Sequence, residues 1–433
     1  MTNPTIELTE YSSKIPNQDY LTNYFNSTVD ERLDNLSLND NDKRLLNESL
    51  YDILKILPLS NGLAITATSY VGVVNFSKFT VVVKPKIFIK PENLFGMINY
   101  AFELDQWEFP EGGFYYDQEN YLIEIIVRAF VLVCENVLKQ GLYKSYVTFQ
   151  NNILYLKGKL LLKQHMINVL ENRPQFACEY DELEYDNLEN QIILFCLKRC
   201  YSSTKIEFLK RKIRSQILQF SNVVSDTYIT KEDFKKINYT RQNQHYKKIL
   251  DLGKIIIESS GIVDFYANAR HKIPSFFVDM NEIFEKFVAR LAKETFHNIY
   301  TVSEQESQVA WTFEEGKKKN IRTDILLVNK KTNQRTVLDT KYKPDLRESD
   351  YYQIFFYIYE YNSGIEHENQ KTGYAILPMN KLKPLESKSR IYSPIQKIQI
   401  IISKIDLDEI IPLLYSKDIK SKQQLKDKIF ELL

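Results

Sequence analysis

The last third of the chain alternates between helical and strand-like hydrophobic patterns. Residues 279–297 repeat apolar positions at helical spacing, and β-branched segments separated by polar turns follow. The successive segments are SQVAWTF, IRTDILLV and RTVLDTKYK as strands, ESDYYQIFFYIYEYN as a helix, and GYAILP and KIQIIISKI as strands. KKTNQ joins the second and third strands as a hairpin-type turn. This order predicts an α/β domain with a mixed central sheet flanked by helices.

The preceding part of the chain mixes short β-like and longer helical patterns. We expect a helix near residues 41–57 and three short strands of a small antiparallel sheet in residues 61–90. Helical patterns dominate residues 92–260, interrupted by the β-like stretch KSYVTFQNNILYLKGKLLL. The pattern breaks near residues 260–275. We therefore predict α/β plus α+β architecture, with a mixed β/helical region in residues 1–265 and a second domain in residues 266–433.

Composition is that of a soluble globular protein. The chain has 57 basic and 56 acidic residues, so its net charge of +1 gives no sign for or against nucleic-acid binding. Four cysteines form no CxxC pair, and we expect reduced core thiols rather than a metal site. No secretory signal pattern opens the sequence and no apolar run reaches membrane-spanning length, so we expect a cytoplasmic protein.

Acidic and basic side chains mark one edge of the predicted sheet. Asp339 and Lys341 stand two positions apart at the end of one strand, so both project from the same face. The five-residue turn should bring Asp324, at the start of the partner strand, beside Asp339. Two neighbouring carboxylates repel unless a cation lies between them. Carboxylates at a hydrated edge suit Mg²⁺, with Mn²⁺ as a substitute.

Two predicted helices add polar groups to this edge. Glu285 borders the apolar face of the helix 279–297, so it can reach the sheet edge, whereas Glu282 should lie in solvent. Gln353 and Tyr357 are spaced i, i+4 and share one face of the second helix. Each residue alone has an ordinary explanation, such as a surface ion pair or a solvated helix flank.

The combination is more specific than its members. Glu, Asp, D-x-K and Q-x-x-x-Y, in that order on helix, strand, strand and helix, resemble the PD-(D/E)xK nuclease core. Thr323 stands where the family motif has Pro, a position that is not a metal ligand. The resemblance implies metal-dependent phosphodiester hydrolysis. Asp324 and Asp339 would bind the metal, Glu285 would be an auxiliary ligand, and Lys341 would assist the attacking water. Gln353 and Tyr357 would position the site or the DNA.

Several other stretches resemble the McrC family, the nuclease subunits of McrBC-type modification-dependent restriction systems. They are SYVGVVNFSKFTVVVKPKI, LKGKLLL with FACEYDELEYDNLENQIILFCLKRC, FFVDMNEIFEKFV, and TDILL followed by LDTKYK. The resemblance implies a PD-(D/E)xK endonuclease domain in residues 266–433 and a partner-binding region in residues 1–265. It also implies an McrB-like AAA+ GTPase ring as partner and double-stranded, modified DNA as substrate.

The chain itself lacks a phosphate-binding loop of the G-x-x-x-x-G-K-[ST] type, so we expect no bound nucleotide and an NTPase supplied in trans. The resemblance makes the charged helical region 110–260 the source of the element that enters the partner ring. Candidate stimulating arginines are Arg173, Arg199, Arg211 and Arg214. Two alternatives stay open: a stand-alone PD-(D/E)xK nuclease in DNA repair, and a non-cleaving adaptor or activator of an NTPase.

Overall fold

The fold is described from a computed structural model of the chain. The described residues are 5–14, 36–48, 50–60, 62–87, 90–102, 121–260, 276–362, 371–379, 388–416 and 418–432. The strands are β1 Thr5–Thr9, β2 Ser13–Lys14, β3 Leu54–Leu59, β4 Gly62–Ala67, β5 Tyr70–Asn75, β6 Thr80–Lys84, β7 Ser145–Ile153, β8 Lys159–Leu160, β9 Phe176–Glu184, β10 Phe276–Asp279, β11 Tyr300–Glu304, β12 Ser307–Thr312, β13 Lys318–Arg322, β14 Ile325–Asn329, β15 Arg335–Thr340, β16 Lys371–Pro378, β17 Lys388–Ser393 and β18 Ile398–Ile405.

The helices of the described residues are α1 Asp40–Glu48, α2 Pro91–Ala101, α3 Tyr121–Gln140, α4 Leu162–Leu170, α5 Leu188–Ser203, α6 Glu207–Ser221, α7 Lys247–Ser260, α8 Met280–Phe296, α9 Glu348–Tyr361, α10 Leu407–Tyr415 and α11 Ile419–Leu432. Two short 3₁₀ helices, Lys231–Lys236 and Gln244–Tyr246, lie between α6 and α7.

The chain divides into two compact units. Residues 1–125 group with residues 261–433, and residues 126–260 form the second unit. The sequence interpretation instead divided the chain once, at residue 265, a position outside the described residues. The first unit is discontinuous because β5 pairs with β10, across about 200 residues of sequence, and because α2 packs on α8.

The N-terminal strands of the first unit form two small sheets. One has the order β1-β6-β5-β10 and the other β2-β4-β3. The three strands expected in residues 61–90 are present, but the expectation of one sheet was wrong, because β4 belongs to the second sheet. The predicted helix 41–57 was wrong beyond α1, because its last residues form β3. A shared core includes Ile6, Leu45 and Leu63, which are almost completely buried.

The C-terminal part of the first unit contains a six-stranded mixed sheet in the order β11-β14-β15-β16-β18-β17. β15, β16 and β18 run parallel, and the outer pairings are antiparallel. The predictions of a mixed central sheet, of a β14–β15 hairpin and of the helices α8 and α9 are confirmed. The strand predicted as IRTDILLV is divided at residues 323–324, and its first half pairs with β12 in a separate two-stranded hairpin.

Helices cover the two faces of the six-stranded sheet. Val337 of β15 packs in one core cluster with Ile354 and Ile358 of α9. On the opposite face, the ring of Phe284 in α8 lies 5.7 Å from the ring of Tyr342, just beyond β15. Because side chains alternate along a strand, Asp339 shares the face of Val337, the face that α9 covers.

The second unit combines helices α4, α5, α6 and α7, most of α3, and the sheet β7-β9-β8. Its helices bury an apolar core that includes Ile193, Leu197 and Ile213. Gly158, in the turn before β8, has φ +67° and its Cα lies against the backbone of β9. A residue with a Cβ would clash there, so glycine fixes the path of this turn.

Candidate active site

The register of the β14–β15 hairpin brings two carboxylates together. Ile325 pairs with Leu338, so the next position along each strand places Asp324 opposite Asp339. The Thr340 backbone N–H and hydroxyl both donate hydrogen bonds to Asp324 Oδ2, at 2.7 and 2.9 Å. These bonds fix Asp324 at the sheet edge. The prediction that the two acids meet follows from the turn length and is confirmed by this register.

Asp339 is the most deeply buried acid of the group. Its side chain is 0% exposed, and Lys341 Nζ lies 2.9 Å from Oδ2 as an ion pair. Within the described residues, neither carboxylate oxygen receives a hydrogen bond of regular geometry. Burial first, and then the charge of Asp324, raise the pKa of Asp339 to about 7. A buried carboxylate with so little compensation favours a further cation nearby.

Lys341 partly balances the negative charges of Asp339 and Asp324. Burial alone would lower its pKa, but the charges of Asp339 and Asp324 outweigh burial and raise it. The side chain of Lys341 is 20% exposed, so its amine stands between the buried Asp339 and solvent. Lys341 therefore remains a cation at neutral pH and can donate hydrogen bonds to an anionic group placed at the edge.

Glu285 of α8 reaches the same edge. Burial first, and then Asp324, raise the pKa of Glu285, and Gln305 Nε2 donates a hydrogen bond to its Oε1 at 3.0 Å. The expectation that Glu282 lies in solvent was wrong. Its side chain is only 25% exposed and pairs with Lys286 at 3.4 Å. α2 packs on α8, and Lys286 lies over the ring of Phe102, just after α2.

Gln353 and Tyr357 lie on one face of α9, as their spacing predicted. Gln353 Nε2 donates a hydrogen bond to the Tyr357 hydroxyl at 2.8 Å. Their helix covers the sheet face that carries Asp339. Among the described residues, no hydrogen bond joins either side chain to the acids, and their role at the site stays a prediction.

The sequence interpretation missed a second ion pair beside the first. Lys343 Nζ and the Arg347 backbone N–H both donate to Asp350 Oδ2 at the start of α9. Although burial acts in the opposite direction, the hydrogen bond from Lys343 helps to hold the pKa of Asp350 below its usual value. The negative charge of Asp350 in turn contributes to the raised pKa of Lys341. The spacing of Arg347 and Asp350, a helix start with an acid three positions on, was the available signal.

The carboxylates of Asp324 and Asp339 fit Mg²⁺ better than a metal whose ligands all come from the protein. Among the described residues, no group of three or more His, Cys, Asp and Glu side chains is arranged to hold a metal ion. Asp324 and Asp339 nonetheless supply two carboxylates, and the oxygens of Asp339 are buried without regular hydrogen bonds. Mg²⁺ keeps several waters and uses one or two carboxylates. The role of Glu285 as an auxiliary ligand stays a prediction.

Two simpler expectations can be compared with the structure directly. All four cysteines are buried, and none forms a disulfide. Within the described residues, no helix has both the length and the apolar character needed to cross a bilayer.

Comparisons with known proteins give one family. The family described as "McrBC 5-methylcytosine restriction system component" matches residues 65–368. No curated protein matches the chain.

Two solved structures are similar to the whole chain or to much of it. One is a chain of the refined half-complex from the tetradecameric assembly of Thermococcus gammatolerans McrB AAA+ hexamers with bound McrC. Its TM-score is 0.52 at 16% sequence identity, and the alignment covers 99% of this chain and 100% of that one. A chain of the Thermococcus gammatolerans McrBC complex has a TM-score of 0.41 at 20% identity, over 67% of this chain and 88% of that one. The first similarity extends over both compact units and concerns the fold. Since the family match spans well over half of the sequence, the chain belongs to the McrBC family of 5-methylcytosine restriction system components.

Proposed function

We propose that the chain is a Mg²⁺-dependent DNA endonuclease subunit that works with an McrB-like AAA+ GTPase. The observation that carries the proposal is the Asp339 carboxylate. It is fully buried, faces Asp324 across the hairpin, and has Lys341 as its close cation. A purely structural ion pair would have little need for a second acid at the same edge, because the two carboxylates repel each other.

Each residue at the edge has a defined task in phosphodiester hydrolysis. Asp324 and Asp339 would hold the metal, and the hydrogen bonds from Thr340 fix the orientation of Asp324. A bound Mg²⁺ would lower the pKa of the attacking water and neutralise charge on the phosphoryl group. Lys341 donates hydrogen bonds to the water or to the phosphate, because its amine stays protonated between the acids and solvent.

Glu285, Gln353 and Tyr357 complete the proposed site. Glu285 would act as an auxiliary ligand, and the hydrogen bond from Gln305 fixes its carboxylate within reach of the charge of Asp324. Gln353 and Tyr357 position the site or the DNA from α9, on the face of the sheet that carries Asp339. Their mutual hydrogen bond limits the rotamers of both side chains and so reduces the entropy lost on binding.

Family membership supports a partner in the form of an AAA+ ring. One similar structure is described as McrB AAA+ hexamers with bound McrC. In this chain we assign ring contact to the second unit, residues 126–260. Its small sheet and α4 expose apolar side chains that a folded partner would bury. These are Tyr146, Leu154, Tyr155, Leu156, Leu162, Met166, Val169 and Leu170.

The candidate arginines of this unit differ in the contacts that their side chains already form. Arg173 pairs with Glu171 at 2.9 Å, and Arg214 Nε donates to the Tyr201 hydroxyl at 2.8 Å. Arg199 lies over the ring of Phe195. Arg211 is exposed and forms no ion pair with another described residue. Arg211 is therefore the candidate that could reach a nucleotide site of the partner without first breaking a contact.

Cleavage assays test the proposal directly. The full chain is incubated with Mg²⁺ and either methylated or unmethylated DNA, with and without the NTPase encoded beside it. We expect cleavage of the methylated DNA only when Mg²⁺, the chain and the NTPase are all present. Equal cleavage without any NTPase would instead indicate a stand-alone nuclease. NTPase stimulation without cleavage, and unaffected by Lys341→Ala, would indicate an adaptor.

A further inference from the structure

The hairpin formed by β12 and β13 has two chemically different faces. It projects beside the six-stranded sheet as a separate two-stranded sheet. Along β13, Lys319 and Ile321 point to one face, and Lys318, Asn320 and Arg322 point to the other, because successive strand residues alternate. The family resemblance assigned no role to this hairpin.

The first face is anchored to the rest of the domain. Trp311 lies opposite Lys319 in the register, and its ring stacks on Phe356 of α9 with centroids 5.0 Å apart. Lys319 Nζ lies 5.4 Å from the Trp311 centroid, on the same face. Ile321 is buried in the cluster that contains Ile354. These contacts fix the orientation of the hairpin, so its second face must point outward.

The second face is a row of polar and basic side chains, which we name the basic row: Lys318, Asn320 and Arg322. All three are exposed. Among the described residues, none of the three forms an ion pair or a side-chain hydrogen bond, although Lys317, one position earlier, pairs with Glu315 at 3.3 Å. Alternate residues of a strand lie about 7 Å apart, so the row extends for roughly 14 Å.

The basic row ends at the candidate active site. Arg322 stands two residues before Asp324, and its charge opposes the rise in the pKa of Glu285. The base of the hairpin is held to the site by hydrogen bonds. The Gln305 N–H donates to the Asp324 carbonyl at 2.8 Å, and the Thr323 N–H donates to the Glu306 carbonyl at 3.1 Å. The row therefore has a fixed position relative to the acids.

We propose that the basic row binds the phosphodiester backbone of DNA and guides the strand to the acids at residues 324 and 339. The inference rests on the proposed nuclease function and adds the surface that positions its substrate. An unpaired row of one charge sign on a rigid sheet complements a polyanion. Asn320, between the two cations, can donate to a phosphate oxygen. The acids alone would repel DNA, so a cationic approach surface is needed beside them.

A double variant tests the basic row against matched controls. Lys318→Ala/Arg322→Ala is made in the full chain, together with the single variants Lys319→Ala and Lys331→Ala. Lys319 is on the anchored face of the same strand, and Lys331 is an exposed lysine in the β14–β15 turn. Binding of a short fluorescent methylated duplex is measured against salt concentration in an Asp339→Asn background, so that the DNA stays intact.

The expected result is a difference between the two faces. The double variant should bind on the order of tenfold more weakly at low salt, and its log Kd against log salt slope should fall by about two. Both control variants should retain at least most of the original slope. Thermal unfolding of the double variant should match that of the parent, because Lys318 and Arg322 are exposed and form no ion pair with another described residue.

Other outcomes separate this proposal from the proposed function. If the wild-type chain cleaves DNA with its NTPase and the double variant binds DNA like Lys331→Ala, the basic row has no such role and the nuclease proposal stands. If the double variant keeps its DNA affinity but loses association with the NTPase, the row is a protein contact and the proposal is overturned. Failure of the wild-type chain to cleave methylated DNA with Mg²⁺ and its NTPase would overturn both, whereas cleavage without any DNA binding by the chain itself would overturn only the role of the basic row.

Discussion

Replacing Asp339 with Asn should stabilise the metal-free protein and abolish cleavage. The Asp339 carboxylate is 0% exposed, and neither oxygen receives a regular hydrogen bond from the described residues. Burial, followed by the charge of Asp324, raises its pKa from 3.8 to about 7. Asn has a similar shape and no charge, so the substitution removes the free energy required to bury the carboxylate.

The stabilisation of the metal-free protein by Asp339→Asn should increase as the pH rises. Between about pH 4 and pH 7 the folded chain keeps a proton on Asp339 that the unfolded chain has lost, so stability falls as pH rises through this range. Below it both states are protonated, and above it both are ionised. Each pH unit is worth about 1.4 kcal/mol, which gives roughly 4 kcal/mol when Asp339 is fully ionised. Between about pH 5.5 and about pH 8.5 the stability difference changes by roughly 2 kcal/mol.

Thermal unfolding of the wild type and of Asp339→Asn at these two pH values measures the effect. In the presence of a chelator, the Tm advantage of the variant should be larger at the higher pH by roughly 2–4 °C, given about 1–2 °C per kcal/mol for a chain of this length. Mg²⁺ should raise the Tm of the wild type at the higher pH and leave that of the variant unchanged. Glu314→Gln, which neutralises an exposed acid in the β12–β13 turn, is the control and should show no such dependence.

Two results would show that the buried charge of Asp339 does not limit stability in this way. A Tm difference between variant and wild type that is the same at both pH values would mean that Asp339 does not titrate in this range. A variant less stable than the wild type at the higher pH would mean that the ion pair with Lys341 outweighs the burial of the charge.

The ion pair, a glycine turn and a second buried acid can each be tested by substitution. Lys341→Met should abolish most cleavage. It should destabilise the metal-free protein by roughly 2 kcal/mol at about pH 8.5 and much less below about pH 7, because without its cation Asp339 keeps a proton, at about 1.4 kcal/mol per pH unit. Adding Asp339→Asn should restore stability in chemical denaturation but not activity. Gly158→Ala should destabilise the second unit by more than about 3 kcal/mol, because the new Cβ would clash with the backbone of β9 at φ +67°. Gly141→Ala is the control, because its Cβ meets open space and should cost about 1 kcal/mol. Limited proteolysis should cleave the Gly158→Ala variant faster than the Gly141→Ala variant. Burial raises the pKa of Glu10 to about 8, so stability should fall as pH rises from about 4.5 to about 8, and Glu10→Gln should remove that part of the decline in pH-dependent thermal unfolding.

The relative positions of the candidate site residues could be predicted because the sequence signals for them are local. The five-residue turn between β14 and β15 sets the register, and the register alone places Asp324 beside Asp339. The two-residue period of a strand places Lys341 on the face of Asp339, and the Gln353–Tyr357 contact follows from helical spacing. Each inference needed only the geometry of one element or one turn.

The sequence-based predictions were wrong or incomplete where segments distant in sequence determine the burial or the pairing of a residue. The outward side of α8 is covered by α2, so Glu282 is half-buried, although the pattern of α8 by itself places it in solvent. In the same way, β5 pairs with β10 across most of the sequence, and no local pattern announces that partner. The basic row was visible only as a charged stretch, since its two faces depend on the stacking of Trp311 on Phe356.

Titration of the full chain with Mn²⁺ shows whether Asp324 and Asp339 together hold a divalent cation. Electron paramagnetic resonance measures free and bound Mn²⁺ for the wild type, for Asp324→Asn and for Asp339→Asn. We expect one tight Mn²⁺ site in the wild type, from which Mg²⁺ displaces Mn²⁺ and which both variants lose. A tight site retained in Asp339→Asn, or equally weak binding in all three proteins, would contradict this expectation.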